Sequence, residues 1–205
     1  APPPTRAPEA PPVAAPSPPG TKRPPARPET SPRTPEGWIA RARAFEREGQ
    51  WARAQAAYER ALGAGGGGLA SADARLGLAA LAERQGRGRD ALAHYLAAIR
   101  MRPDDARAHA RLGRFYAARG SHHLAINEYR LAIRLAPQDP RPAYSLSVLY
   151  ARLGRPEYAL RYLKEAIARD AGMRERARRE SAFAPLRWEP AFQSLTEPGR
   201  GGGEP

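Results

Sequence analysis

The stretch Ala106–Pro137, ARAHARLGRFYAARGSHHLAINEYRLAIRLAP, contains two amphipathic runs separated by a single glycine. Apolar residues recur three or four positions apart on both sides of Gly120. Such spacing predicts two helices, each with one buried face. Gly120 favours a left-handed cap at the end of the first helix, and Pro137 favours termination of the second. The stretch therefore predicts a helical hairpin.

The same pattern returns every 34 residues, as Gly86, Gly120 and Gly154 illustrate. A further copy upstream stands 37 residues from its successor, and the glycine run at 65–68 explains the three extra residues. A fixed period in this range predicts stacked helical hairpins. Because one hairpin cannot bury both of its faces, the copies must stack on one another.

Small and aromatic residues recur in phase within the copies. In the third copy, Ala125 and Ala132 allow the two helices to approach closely, while Tyr129 fills the space beside them. The recurring positions are Trp38, Phe45, Gly49, Trp51, Ala54, Tyr58 and Ala61; Leu78, Ala79, Gly86, Ala91, Tyr95, Ala98 and Pro103; Leu112, Gly113, Tyr116, Gly120, Ala125, Tyr129, Ala132 and Pro137; and Leu146, Tyr150, Gly154, Ala159, Ala166 and Ile167.

These positions resemble the tetratricopeptide repeat family over about residues 35–170. The resemblance implies an all-α fold, a right-handed superhelical α-solenoid of four helix-turn-helix repeats. We expect the repeats over 36–69, 70–103, 104–137 and 138–170, followed by a capping segment over 171–196 and a disordered tail over 197–205. Residues 1–35 are rich in proline and poor in large apolar side chains, so we expect a disordered linker there.

The last hairpin of a stacked array exposes an apolar face that needs a cap. Phe183, Leu186, Trp188, Phe192 and Leu195 follow the fourth copy, and we expect them to pack as that cap. This segment is similar to the terminal motif of many bacterial proteins of the same family. Trp188 and Phe192 as a ligand cage is the less favoured interpretation.

The net charge is +13, and 32 of the 34 basic residues are arginine. Two interpretations stay open: a compositional bias of a GC-rich coding sequence, or an anion-binding surface. The chain has no cysteine, which excludes disulfides and thiolate metal sites. No stretch approaches the roughly 20 apolar residues of a membrane span.

The sequence contains no catalytic constellation, and we expect neither an enzyme nor a bound cofactor. His122 and His123 lack a further ligand at helical spacing, so no metal site is predicted. The glycine run at 65–68 lacks the Lys and Ser or Thr of a phosphate-binding loop.

In the family that this chain resembles, the first helix of each repeat lines a concave groove that binds the partner. Carried over to this sequence, the partner-binding residues are Ile39, Arg43, Arg47, Leu76, Arg84, Arg107, Arg111, Arg114, Arg141, Tyr144 and Arg152. A thin apolar strip through Ile39, Leu76, Ala110 and Tyr144 is expected between the arginines. Guanidinium groups at this density suit the carboxylates of an acidic peptide.

The sequence therefore favours a non-catalytic module that binds a protein or peptide partner. One alternative is a basic solenoid that binds nucleic acid, and another is the repeat module of a larger bacterial kinase or envelope assembly protein. In a further interpretation the Pro-rich segment is itself a ligand of an aromatic groove. The sequence does not give the location, for which the bacterial cytoplasm and a tether near the envelope are the two options, and it carries no signal for the oligomeric state.

Overall fold

The computed structural model describes residues 32–65 and 68–197. The segments predicted to be disordered, 1–35 and 197–205, fall outside the described residues except for 32–35 and Glu197. No helix among the described residues is long and apolar enough to cross a membrane.

The described residues form ten α-helices and one 3₁₀ helix. The helices are α1 (Pro35–Arg47), α2 (Trp51–Gly63), α3 (Gly68–Arg84), α4 (Gly88–Met101), α5 (Ala106–Ala118), α6 (His122–Leu135), α7 (Pro140–Arg152), α8 (Pro156–Arg169), α9 (Met173–Arg179), the 3₁₀ helix (Ser181–Leu186) and α10 (Pro190–Thr196). The pairs α1–α2, α3–α4, α5–α6 and α7–α8 form hairpins, and the second helix of each packs on the first helix of the next. The predicted all-α solenoid is confirmed.

Local signals in the sequence set the helix ends. The side chains of Thr34, Asp105 and Asp139 accept hydrogen bonds from backbone N–H groups in the first turns of α1, α5 and α7. Gly120 ends α5 with a φ of 74°, a left-handed conformation that costs glycine little. The N–H of Ser121 then donates to the carbonyl oxygen of Tyr116 at 3.0 Å, as in a Schellman cap. Equivalent glycines follow the first helix of the other hairpins, namely Gly49, Gly86 and Gly154.

The core follows the repeat. Ala125 and Ala132 are fully buried where α6 meets its neighbours, and the buried Tyr129 ring packs in the same cluster as Ala125. A Cβ atom placed at Gly113 of α5 would lie 3.0 Å from this ring, so the hairpin closes around glycine, alanine and tyrosine together. The small residues thus permit the close approach that the sequence predicted.

The capping segment covers the last hairpin with most of the expected side chains. Phe183, Leu186 and Phe192 are buried against Leu163 of α8, and Leu195 packs at the edge of the same cluster. Trp188 is 86% exposed, so the expectation that it packs as part of the cap is wrong. It lies in the turn between the 3₁₀ helix and α10, where the ring is left outside the cluster.

His109 is a buried polar residue of α5 with acceptors at both ring nitrogens. Its Nδ1 lies 2.7 Å from a carboxylate oxygen of Glu128 on α6, and its Nε2 lies 2.9 Å from the carbonyl oxygen of Pro103. The hydrogen bond with Glu128 raises the pKa of His109 above its usual value, against the lowering effect of burial. Protonated His109 therefore ties α5 to α6 and to the end of the preceding repeat.

We expect the stability of the protein to depend on pH through this contact. Because the pKa of His109 is raised on folding, the contribution is complete below about pH 6.5, the usual value, and is lost as pH rises through the raised pKa. Urea unfolding across this window checks the prediction. Glu128→Gln should flatten the pH dependence, whereas Glu165→Gln, which removes the partner of an arginine instead, should leave it unchanged. If the free energy of unfolding changes equally with pH in the wild type and both variants, the contact between His109 and Glu128 is not the source of the pH dependence.

We expect Ala132→Leu to destabilise the fold by about 1–3 kcal/mol, because the fully buried site has no room for a larger side chain. Urea unfolding measures the difference. The control is Ala52→Leu, which adds the same atoms on the exposed face of α2. If the two variants unfold at the same urea concentration, the close approach of the helices at Ala132 is refuted.

Candidate partner-binding groove

Three hollows follow one another along the first helices of the hairpins. The first, about 320 Å³, lies between α1, α3 and α5 and is called the N-terminal hollow. The second, about 230 Å³, lies between α5 and α7 and is called the middle hollow. The third, about 440 Å³, lies between α5, α7 and the end of α9 and is called the C-terminal hollow. Arg114 lines all three, so they form one continuous groove.

In the N-terminal hollow, one carboxylate holds two arginines from neighbouring repeats. Asp73 of α3 accepts a hydrogen bond from Arg43 of α1 at 3.1 Å and another from Arg107 of α5 at 2.7 Å. Asp105 also pairs with Arg107 and keeps the Arg107 pKa above its usual value, against the effect of burial. These ion pairs tie the first helices of three repeats together and neutralise part of the positive charge.

In the middle hollow, Asp139 holds Arg141 in a two-pronged ion pair. Both carboxylate oxygens take part, with a shortest distance of 2.7 Å to Nη2 of Arg141. The same carboxylate accepts the N–H of Arg141 at 2.9 Å, so it also caps α7. This double engagement holds the pKa of Asp139 below its usual value.

Arg111 and Arg114 stand at the junction of the N-terminal and middle hollows, and both are exposed. Arg111 donates to the carbonyl oxygen of Leu76 at 3.4 Å. Neither guanidinium has a carboxylate partner within residues 32–65 and 68–197. Burial raises the pKa of Tyr129 to about 12. The positive charge of Arg114 acts in the opposite direction, so its electrostatic influence extends to this buried ring.

In each of the first two repeats, a tyrosine hydroxyl donates a hydrogen bond to a glutamate near the end of the first helix. Tyr58 donates to Glu46 at 3.1 Å, and Tyr95 donates to Glu83. Burial is the main cause that raises the pKa of both tyrosines, and the glutamates raise it further. These hydrogen bonds tie the two glutamates to the second helix of their own hairpins.

The structure brings most of the sequence-predicted arginines together. The three hollows contain Arg43, Arg107, Arg111, Arg114, Arg141 and Arg152. Arg47 and Arg84 are not among the described residues that line them. Arg84 instead lies over the ring of Trp51, 3.9 Å from the centroid, because the indole of the preceding repeat offers a cation–π contact.

Of the four residues of the expected apolar strip, Ala110 is half-buried and lines the middle hollow, and the other three are almost fully buried. Ile39 is 4% exposed, and Leu76 and Tyr144 are each 3% exposed. Each belongs to a core cluster, because apolar side chains at these positions gain more by packing against the neighbouring hairpin than by facing water. Leu76 and Tyr144 still form the floors of hollows, but they offer little surface to a partner.

Sequence reasoning missed Asp139 as a groove residue. Asp139 directly precedes Pro140 at the start of α7, a pattern that predicts an N-cap. In the capping position its carboxylate lies in the middle hollow. It also missed the C-terminal hollow, whose far wall contains Arg176 and Glu180. The predicted capping segment gives no sequence signal that it would line the groove.

The structure places His122 and His123 at the start of α6. In the part of the chain that the structure describes, no group of three or more His, Asp or Glu side chains is placed to hold a metal ion.

Two overlapping stretches of the chain, 39–88 and 81–140, match the family model described as tetratricopeptide repeat. A search of curated proteins gave no match.

Solved structures of similar fold include PilF, MamA and YrrB, the last described as a tetratricopeptide repeat protein. PilF of Pseudomonas aeruginosa is 20% identical with a TM-score of 0.65, and the alignment covers 83% of this chain and 78% of that one. MamA is 20% identical with a TM-score of 0.58, covering 71% and 83%. YrrB, described as having an unusual peptide-binding site, is 20% identical with a TM-score of 0.56, covering 72% and 76%. At these identities the likeness shows the fold.

We expect Gly77→Ala to destabilise the protein by about 1–3 kcal/mol and to reshape the N-terminal hollow. A Cβ atom at Gly77 would lie 2.3 Å from the Tyr58 ring, which must then move away from Glu46. Gly63→Ala is the matched control, because a Cβ atom there meets nothing within 4 Å. Urea unfolding of both variants measures the difference, and equal stability would mean that the Tyr58 ring is not held against Gly77.

Proposed function

This chain belongs to the tetratricopeptide repeat family, and we propose from that premise that its groove binds an acidic segment of a protein partner. Repeats of this family typically serve as non-catalytic scaffolds for protein–protein interaction. The groove supports this role here because its arginines come from several repeats and face one continuous surface.

Arg111 and Arg114 carry the proposal. The other arginines of the N-terminal and middle hollows are held by Asp73 or Asp139, so their charge is partly neutralised. Arg111 and Arg114 are exposed side by side without a carboxylate partner in the described part of the chain. Carboxylates bind guanidinium groups through paired hydrogen bonds, so an acidic peptide supplies the charge that this junction lacks.

An extended or helical peptide fits the groove better than a compact anion. The junction is followed on one side by the N-terminal hollow and on the other by the middle hollow, so a bound chain runs across several repeats. The ion pairs at Asp73 and Asp139 hold the flanking arginines in place before binding. Such preorganisation lowers the cost of ordering side chains on association.

Nucleic acid is the second candidate, supported by the net charge of +13. Single strands bind to basic grooves through exposed aromatic rings on which bases stack. The tyrosine rings that line the N-terminal and C-terminal hollows, Tyr58, Tyr129 and Tyr144, are all buried. The groove therefore suits carboxylates of a protein better than bases.

The fold is also shared with a protein that binds peptides. YrrB, a repeat protein of similar fold, is described as having a peptide-binding site, which agrees with a peptide ligand here. A place in a larger bacterial kinase or envelope assembly protein is compatible with the module, whose binding surface lies wholly within residues 43–180.

We expect Arg111→Glu combined with Arg114→Glu to abolish binding of a fluorescein-labelled acidic decapeptide, measured by fluorescence polarisation. Charge reversal replaces attraction with repulsion at the junction of the two hollows. Arg89→Glu combined with Arg134→Glu makes the same change of charge on exposed positions of second helices, and should bind nearly as well as the wild type. Circular dichroism checks that both variants stay helical.

Equal loss of binding in the two double variants would show that net charge alone attracts the peptide and would overturn the groove as its site. A single-stranded DNA oligonucleotide serves as the competing probe. Tight DNA binding that falls steeply with salt and is unaffected by the groove variant would favour the nucleic-acid alternative.

A further inference from the structure

The C-terminal hollow exists because the third repeat departs from the first two. The first helices of repeats one and two end in Glu46–Arg47 and Glu83–Arg84, whereas α5 ends in Ala117–Ala118. In the first two repeats the glutamate receives a tyrosine hydroxyl, but the equivalent place beside Tyr129 has only an alanine methyl group. The missing side chains leave a space beside Tyr129 that residues of α7 and the capping segment border.

The capping segment adds one wall to this space. Arg176 at α9 and Glu180 after it form the far wall, and Glu180 lies 3.7 Å from Arg152 of α7. The floor is apolar and includes Val148 and Leu149. The volume of about 440 Å³ lies in the range of about 300–1,000 Å³ that is common for ligand pockets.

Two buried polar atoms at this hollow lack partners. The hydroxyl of Tyr144, a residue that is 3% exposed, and Nδ1 of His122 have no hydrogen-bond partner in the described part of the chain. The guanidinium of Arg176 lies over the face of the Tyr144 ring, 4.7 Å from the centroid, and its charge lowers the pKa of Tyr144, which burial raises. Since buried polar groups are nearly always paired, a bound group that accepts or donates here would complete the site.

We propose that the C-terminal hollow is an anchor site for one large apolar side chain of the bound peptide, with the capping segment as one wall. The inference rests on the proposed function, because the anchor belongs to the same acidic peptide. The anchor side chain contacts Val148 and Leu149, and the peptide backbone beside it hydrogen-bonds to the Tyr144 hydroxyl.

Two features of the C-terminal hollow favour a peptide side chain as its occupant, namely its connection to the middle hollow and the positive charge at its rim. The hollow opens into the middle hollow at Arg114 and Ser145, which line both, so a chain in the groove reaches it without a break. Its rim has three arginines, Arg114, Arg152 and Arg176, against one carboxylate, Glu180. An apolar residue with acidic neighbours matches an apolar floor beneath a basic rim.

Two fluorescein-labelled decapeptides of Glu, Asp and Ser test the proposal, identical except for a central Phe or Ser. We expect the Phe peptide to bind the wild-type chain at least about 10-fold more tightly, because burial of a large apolar side chain is worth that much or more. Ala117→Glu combined with Ala118→Arg restores the pair found in the first two repeats. It should fill the hollow and remove the preference for Phe, while the Ser peptide still binds.

The matched control is Ala52→Glu combined with Ala56→Arg, which adds the same side chains on the exposed face of α2 and should keep the preference. Tyr144→Phe should weaken the Phe peptide by roughly 2- to 10-fold without lowering the midpoint of thermal unfolding. Unchanged affinity in that variant would overturn the assignment of the hydroxyl to the ligand.

The outcomes separate the two proposals. If both decapeptides bind equally well and both are lost in Arg111→Glu with Arg114→Glu, the anchor site is refuted and the acidic groove stands. If neither decapeptide binds the wild-type chain, both proposals fail.

Discussion

The close approach of the two helices in each hairpin is the constraint on which the rest of the structure depends. Buried alanines such as Ala125 and Ala132, together with the tyrosine between them, set the separation of the helices. That separation must be the same in every copy if one hairpin is to stack on the next. The first helices consequently line up, and exposed side chains at corresponding positions meet across repeats, as Arg43, Asp73 and Arg107 do.

The first and last hairpins each have an apolar face with no neighbouring repeat to cover it, and the two ends cover this face in different ways. At the N-terminal end, Arg41 and Arg53 both lie over the ring of Phe45, at 5.5 and 4.3 Å from its centroid. Their aliphatic stems and charged groups cover apolar surface that no earlier described repeat covers. At the C-terminal end, buried residues such as Phe183 close the last hairpin. This second solution brings Arg176 and Glu180 to the C-terminal hollow.

The fold could be predicted because each of its signals is local and repeated. The counterparts of Gly120 and Ala125 recur in every copy, so the hairpin is predicted correctly even where one copy departs from the pattern. The groove could be predicted only in part. Helical phase alone does not distinguish a residue that faces the groove from one that faces the next hairpin, which explains the burial of Ile39 and Tyr144. Trp188 was misplaced for a similar reason, since an aromatic residue in a cap sequence carries no sign of which side it faces.

The arrangement of charge in the groove follows from how costly it is to leave like charges together. Arginines that stabilise the array form ion pairs with carboxylates, as Arg107 does with Asp73 and Arg141 with Asp139. Arg111 and Arg114, one helical turn apart on α5, repel each other and lack such a partner in the described part of the chain. Exposure to water keeps this cost small in the free protein. An acidic partner that covers the junction would remove that water and supply the opposite charge, so binding and stability should rise together.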